Sequence, residues 1–224
     1  MCGFGAGRVD VHAHNVRGGL RAGAHRGRHV DSGAARGRGG QFGFDARDLV
    51  GQQRVHAREA ADLPDSRLAN TTEQQRAIIP FIRKYRPSVI CALMAPDRHP
   101  DHSAAHALSR EANYYSGLER IETGQPPYRA PRMYYFYPYA ELAGAPPCVV
   151  DISDVFDTKM AALRAYQSQF HNPGYPGPAT HISSKQFWEG IETRARYWGG
   201  RIGVEHGEPL YTDAPLPLAT LPGL

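Results

Sequence analysis

Apolar residues in this chain fall into short continuous runs separated by stretches of helical spacing. The run over residues 88–94, Ser-Val-Ile-Cys-Ala-Leu-Met, has the length and continuity of a parallel strand buried on both faces. Met133-Tyr134-Tyr135-Phe136-Tyr137 and Cys148-Val149-Val150-Asp151-Ile152 also read as strands. Between these, Thr72-Glu73-Gln74-Gln75 has capping-box spacing and opens a helix with Ile78, Ile82 and Tyr85 on one side, which Pro80 should kink or restart. Beyond residue 100, Ala105, Leu108 and Ala112 recur at core spacing. Ser153 is expected to cap a helix with the stripe Phe156, Met160, Leu163 and Tyr166. Its Lys159 and Arg164, with Gln169 beyond, read as a solvated face or subunit contacts. Ser184 opens a last helix through Phe187, Trp188, Ile191 and Tyr197, with Gly199-Gly200 as its expected end. Residues 171–181 form a proline- and glycine-bearing loop, and the tail from 209 is expected to be poorly ordered. Strands alternating with helices place the chain in the α/β class.

The densest chemistry follows the first of these strands, in Pro96-Asp97-Arg98-His99-Pro100-Asp101-His102. Ligands in α/β sheets bind beyond the carboxyl ends of strands. Pro100 disfavours helical backbone at the residue before it, so His99 should occupy the turn while Asp101 and His102 open the next helix. Neutral imidazole is a good zinc ligand, and a neighbouring carboxylate can orient it or take a proton. The plainer reading makes Asp101 a helix N-cap and both histidines solvated. His106 follows His102 by four residues and shares its face, so a His-x-x-x-His pair is conceivable, although a packed or surface histidine is the commoner outcome.

Several separated segments in a fixed order carry a family resemblance. Leu63-Pro64-Asp65-Ser66-Arg67, residues 82–89, residues 97–102, Val149-Val150-Asp151-Ile152-Ser153, residues 159–170 and Ile202-Gly203-Val204-Glu205 together resemble the LmbE/PIG-L zinc-dependent N-deacetylases, most of all the bacillithiol-biosynthesis branch. The resemblance implies a Rossmann-like, mostly parallel sheet with flanking helices and hydrolysis of an acetamide on an amino sugar, N-acetylglucosaminyl malate being the expected substrate. It implies that His102 ligates zinc, that His99 acts on the oxyanion or leaving amine, that Asp101 orients His99, and that Arg98 binds a substrate carboxylate at the rim. Zinc would polarise the carbonyl and acidify its bound water. The family's other metal motif, Ala-His-Pro-Asp-Asp after the first strand, supplies two further ligands and the general base, and it is not found in this sequence. One histidine does not make a catalytic zinc site.

Composition changes sharply where the resemblance begins. Before Leu63 there is no Ile, Lys, Thr, Tyr, Pro or Trp, while Gly, Arg, Ala and His crowd together. Residues 1–62 therefore read as an anomalous segment, either disordered or translated out of frame, in which the N-terminal strands of the sheet are corrupted or absent; residues 63–224 form the deacetylase-like domain. The codons of Val30-Asp31-Ser32-Gly33, slid by one nucleotide, permit Leu-Thr-Arg, which resembles the family after its second strand.

The net charge of +4 is mild and much of the arginine excess lies before Leu63, so no nucleic-acid partner is expected. Cys2, Cys91 and Cys148 are too few and too scattered for a disulfide framework or metal knuckle, and Cys91 is expected in the core. No apolar run approaches a membrane span and no signal peptide is evident, which suggests a cytoplasmic protein, expected to be a homo-oligomer. Two other readings remain. Val9-Asp10-Val11-His12-Ala13-His14 resembles the metal-binding strand of amidohydrolase barrels, which would make His12 and His14 ligands, but the chain is short for such a barrel. A non-catalytic family member that only assembles or binds is the second.

Overall fold

A computed structural model describes residues 10–12, 57–136 and 145–216 of the chain. The N-terminal segment thus lies mostly outside the described residues, as do His14, Tyr137 and the end of the tail. Strand β1 (Asp10–His12) pairs antiparallel with β2 (Arg58–Ala60), placing His12 opposite Arg58. A three-residue antiparallel pair is not a barrel strand in a parallel array, so the geometry gives the amidohydrolase reading no support.

Helix α1 (Thr72–Tyr85) starts one residue earlier in its capping than the sequence suggests. Thr71 is the N-cap, and its hydroxyl accepts from the Gln74 N–H. Gln74 does not close a capping box; its side-chain oxygen accepts instead from the Ala69 N–H. The helix runs unbroken through Pro80. Pro80 lacks the N–H for its turn, but the flanking Ile79 and Ile82 are buried, and its own carbonyl also accepts from Gln125 Nε2 at 3.0 Å. Packing has overruled local preference here.

Strand β3 (Ile90–Leu93) pairs in parallel with β4 (Met133–Phe136), joined by helix α2 (Pro100–Ser116). Ala92 and Leu93 are buried, whereas Cys91 is exposed, so β3 is not covered on both faces and Cys91 is not a core residue. Strand β5 (Cys148–Asp151) pairs antiparallel with β6 (Gly207–Leu210), and Tyr211, just past β6, bridges antiparallel to Tyr135 of β4. Parallel pairing is thus confined to β3 and β4 among the described residues. The segment from 207 to 211, expected within or beside a loose tail, is strand that ties β5 to β4.

Ser153 is not a helix cap. It opens a 3-10 turn (Ser153–Val155), with its N–H and hydroxyl both donating to Asp151 Oδ1, and helix α3 (Phe156–Arg164) follows. Tyr166 falls beyond that helix. Lys159 is not solvated either: its Nζ lies 2.8 Å from Glu208 Oε1 of β6. Helix α4 (Lys185–Ile202) begins at Ser184, whose hydroxyl accepts from the Phe187 N–H, but passes through Gly199-Gly200 and stops at Gly203 with φ 78°. Gly199 is needed for a different reason: a Cβ there would lie 2.7 Å from the Glu205 backbone.

Two apolar clusters hold these elements. Leu63, Ile78, Ile79, Ile82, Leu108 and Ala112 join α1 to α2, while Ile152, Phe156, Met160, Ile191 and Ala195 join α3 to α4. Between α1 and the loop after α2 sits Arg83, 4% exposed. Its Nε donates to Ser116 O at 2.9 Å, Nη2 to Leu118 O at 2.7 Å, and Nη1 to Ile121 O at 2.5 Å and Thr123 Oγ1 at 2.8 Å. Replacing Arg83 by Met should destabilise the chain by about 3 kcal/mol, since several buried carbonyls lose a charged donor. Thr123→Ala, which removes one acceptor, should cost about 1 kcal/mol or less. Urea unfolding of both variants checks the difference.

Candidate functional site

The chain leaves the carboxyl end of β3 with the Met94 N–H donating to Phe136 O, which extends the β3–β4 ladder to the edge of the turn. Asp97 then organises the turn. Its N–H donates to Ser103 Oγ at 2.9 Å, and its Oδ1 accepts from the His99 N–H at 2.7 Å. His99 is extended, with φ −89° and ψ 121°, and Pro100 takes the first helical position. The N-cap is therefore His99 rather than Asp101, and its Nδ1 accepts from the Asp101 N–H at 3.2 Å.

This hydrogen bond decides what His99 can do. With Nδ1 accepting, a neutral His99 carries its proton on Nε2. The exposed ring then presents a donor outward. The His102 ring stacks on it, with centroids 4.8 Å apart and planes at 25°. His102 Nδ1 lies 3.2 Å from Asp97 Oδ1, and the two side chains are 12% and 0% exposed. That approach is of ion-pair length without an aligned N–H···O bond, and Asp97 Oδ2 is buried with no hydrogen-bond partner among the described residues.

Asp101 is buried, and its carboxylate is used on another segment: Oδ2 accepts from the Ser66 N–H at 2.6 Å. The Leu63-Pro64-Asp65-Ser66-Arg67 stretch is thereby strapped to the start of α2. Asp101 meets His99 through its backbone N–H and not through its carboxylate. Arg98 is exposed at the rim of the turn. His106 does not join His102: its Nδ1 lies 3.0 Å from Leu93 O and its ring packs on Tyr135 at 4.6 Å. The turn thus brings His99, Asp101 and His102 together with Asp97, to which sequence reasoning assigned no role. Its signal was available, because an Asp two residues before an extended His-Pro is an Asx-turn former. His206, stacked on Phe156 at 3.9 Å with both ring nitrogens buried and unpartnered among the described residues, gave no comparable signal.

No group of three or more His, Cys, Asp or Glu side chains among the described residues is placed to hold a metal ion. His102, even with Asp97 beside it, falls short of the three protein ligands of a catalytic zinc, so the donor set of the described residues does not fit the metal by itself. A cleft of about 510 Å³ lies elsewhere, lined by Arg110, Tyr114, Arg129, Arg132, Tyr134 and Asp213 among others, and His99, Asp101 and His102 are not part of its lining. No helix among the described residues is long and apolar enough to cross a membrane.

Comparison with known proteins gives this geometry a context. The profile of the PIG-L family, described as GlcNAc-PI de-N-acetylase, matches residues 28–113, a span that includes the whole turn. A diacetylchitobiose deacetylase of Thermococcus kodakarensis is 29% identical over 173 residues, 72% of this chain but only 57% of that protein. Among solved structures, the conserved protein TT1542 from Thermus thermophilus superimposes with a TM-score of 0.66 at 30% identity, covering 78% of this chain and 72% of that one. GalB, the 4-carboxy-2-hydroxymuconate hydratase of Pseudomonas putida, aligns with a TM-score of 0.54 at 20% identity over 67% of this chain and 62% of its own, a likeness of fold alone.

Two measurements test the site as described. In Asp101→Asn, a neutral acceptor replaces a charged one, and the Ser66 amide should exchange with solvent about fivefold faster; an unchanged rate would detach Asp101 from the 63–67 segment. Tyr135 donates to Asp213 Oδ2 at 2.8 Å, and burial, reinforced by that carboxylate, pushes the phenol above its ordinary range. A raised folded-state value means that stability is complete below about pH 10 and falls as the pH rises beyond it. Tyr135→Phe should therefore flatten the alkaline arm of a stability-against-pH curve.

Proposed function

We propose that the chain is a PIG-L-type protein, on the match of that family's profile to residues 28–113, and that the turn after β3 is the second half of an N-deacetylase centre acting on an acetylated amino sugar. The observation that carries this reading is the pair of stacked imidazoles at the carboxyl end of a parallel strand, of which His99 accepts at Nδ1 and so keeps its proton on Nε2. A positioned N–H donor is what an amide hydrolysis needs at the developing oxyanion or the departing amine. His102 is the family-matched metal ligand, and the further donors and general base would have to come from residues 1–56 or from a restored first motif. Arg98 at the rim suits a carboxylate-bearing aglycone, and N-acetylglucosaminyl malate is the substrate we infer on that ground. The relatives' names support an acetylated sugar; the malate is our own extension of it.

The chain as it stands is proposed not to deacetylate, because the Ala-His-Pro-Asp-Asp motif is not in its sequence. The direct test compares zinc content and acetate release from N,N′-diacetylchitobiose and N-acetylglucosaminyl malate in two proteins. One is this chain, and the other carries a family-type segment with that motif in place of residues 1–62. The expected result is zinc below stoichiometry and no turnover for the first, and both restored in the second, with His102→Ala abolishing metal binding again. Stoichiometric zinc and turnover in the unmodified chain would instead show that His12, His14, His25, His29 or Asp31 supplies the donors. Metal content unchanged by His102→Ala would remove His102 from the site.

A further inference from the structure

We propose that Asp97 is a positioning residue that holds His102 as its Nδ1–H tautomer, so that the two stacked imidazoles carry their protons on opposite nitrogens. The inference deepens the reading of this turn as half of a deacetylase centre. His99 accepts at Nδ1 from the Asp101 N–H and keeps its proton on Nε2. The other ring faces a different neighbour. His102 Nδ1 lies 3.2 Å from Asp97 Oδ1, on a carboxylate whose side chain is fully buried.

A buried carboxylate needs donors, and Asp97 has fewer than its two oxygens can use. Oδ1 takes the His99 N–H at 2.7 Å, while Oδ2 has no hydrogen-bond partner among the described residues. A buried carboxylate with so few donors is costly, and a proton on the ring nitrogen beside Oδ1 offsets part of its charge. Were the His102 proton on Nε2 instead, two electron-rich atoms, Nδ1 and a carboxylate oxygen, would lie 3.2 Å apart, which is unfavourable. The carboxylate cannot swing away without giving up the His99 N–H, and the backbone beneath it is held by Ser103, whose Oγ accepts from the Asp97 N–H and whose hydroxyl donates to Asp97 O at 3.3 Å. A carboxylate beside one ring nitrogen is the arrangement that orients metal-binding histidines.

The consequence is a division of labour between chemically identical rings. His99 presents an N–H, suited to an oxyanion or a leaving amine, while His102 presents the Nε2 lone pair, the form that can ligate a metal. Asp97 therefore touches no substrate itself and acts through His102.

The test reads the proton directly. Two-bond 1H–15N correlation spectra of the full chain labelled at histidine nitrogens, recorded metal-free in mildly alkaline buffer, distinguish the two neutral tautomers, with His102 assigned by the signals lost in His102→Gln. The expected result is Nδ1–H at His102 in the unmodified chain and a shift towards Nε2–H in Asp97→Ala. Asp97→Asn, which keeps the volume and an acceptor oxygen, should retain Nδ1–H. An Nε2–H form at His102 in the unmodified chain, or the same tautomer in Asp97→Ala, overturns the proposal. Should Asp97→Ala fail to fold by circular dichroism, the unmodified chain and Asp97→Asn still decide it. No metal and no turnover enter the measurement, so a failure of the deacetylase reading would show separately, in the zinc and acetate assays.

Discussion

The arrangement of this chain depends on a buried guanidinium. Arg83 closes helix α1 against the loop that follows α2, and it does so by donating to the carbonyls of Ser116, Leu118 and Ile121 and to the Thr123 hydroxyl. The carbonyls at a helix end carry partial negative charge and no partner within the helix, so a cation placed there satisfies them and neutralises the end of the dipole. Fixing the end of α2 also fixes its beginning, because the helix packs along α1 through Ile78, Ile82, Leu108 and Ala112. The beginning of α2 is where the histidines are. Arg83 acts at the opposite end of α2 from them, yet it sets the frame within which they face each other.

At that beginning, a few polar groups each serve two ends. Pro100 starts the helix and forces His99 out of it; His99 then caps the helix with a ring nitrogen that accepts from the Asp101 N–H. Asp101 straps the 63–67 segment through Ser66 while its N–H orients His99. Structural and chemical roles are thus not separable by residue, and a substitution at Asp97, His99 or Asp101 changes helix capping together with site geometry. The hydrogen bonds of the turn itself fix the relative placing of its side chains, each one reinforcing its neighbours.

The fold alone does not choose the chemistry. A hydratase shares it at a TM-score of 0.54, so a deacetylase reading has to rest on the side chains of the turn and on the family profile that matches residues 28–113. Those side chains supply one metal-type nitrogen and one outward N–H.

Local spacing was enough to place much of this in advance. The strands at β3, β4 and β5, the extended His99 before Pro100, and the starts of α2 and α4 all follow from apolar continuity, from proline geometry and from a serine cap, which act within a few residues. The errors arose wherever a distant partner intervened. Pro80 stays helical because Ile79 and Ile82 on either side of it are buried against Leu108 and Ala112 of α2, and α4 runs past Gly199 because the backbone at Glu205 returns against it. Lys159 is drawn from solvent by Glu208 across 49 positions, and the supposed tail becomes strand because β5 and Tyr135 offer it an edge. The site divides in the same way. That two histidines and two aspartates would share one turn was written in residues 97–102 by themselves. That Asp101 would spend its carboxylate on Ser66, and that Asp97 would be buried against His102, was decided only in three dimensions, since burial removes water as the alternative partner and leaves each polar group to whatever neighbour the packing brings.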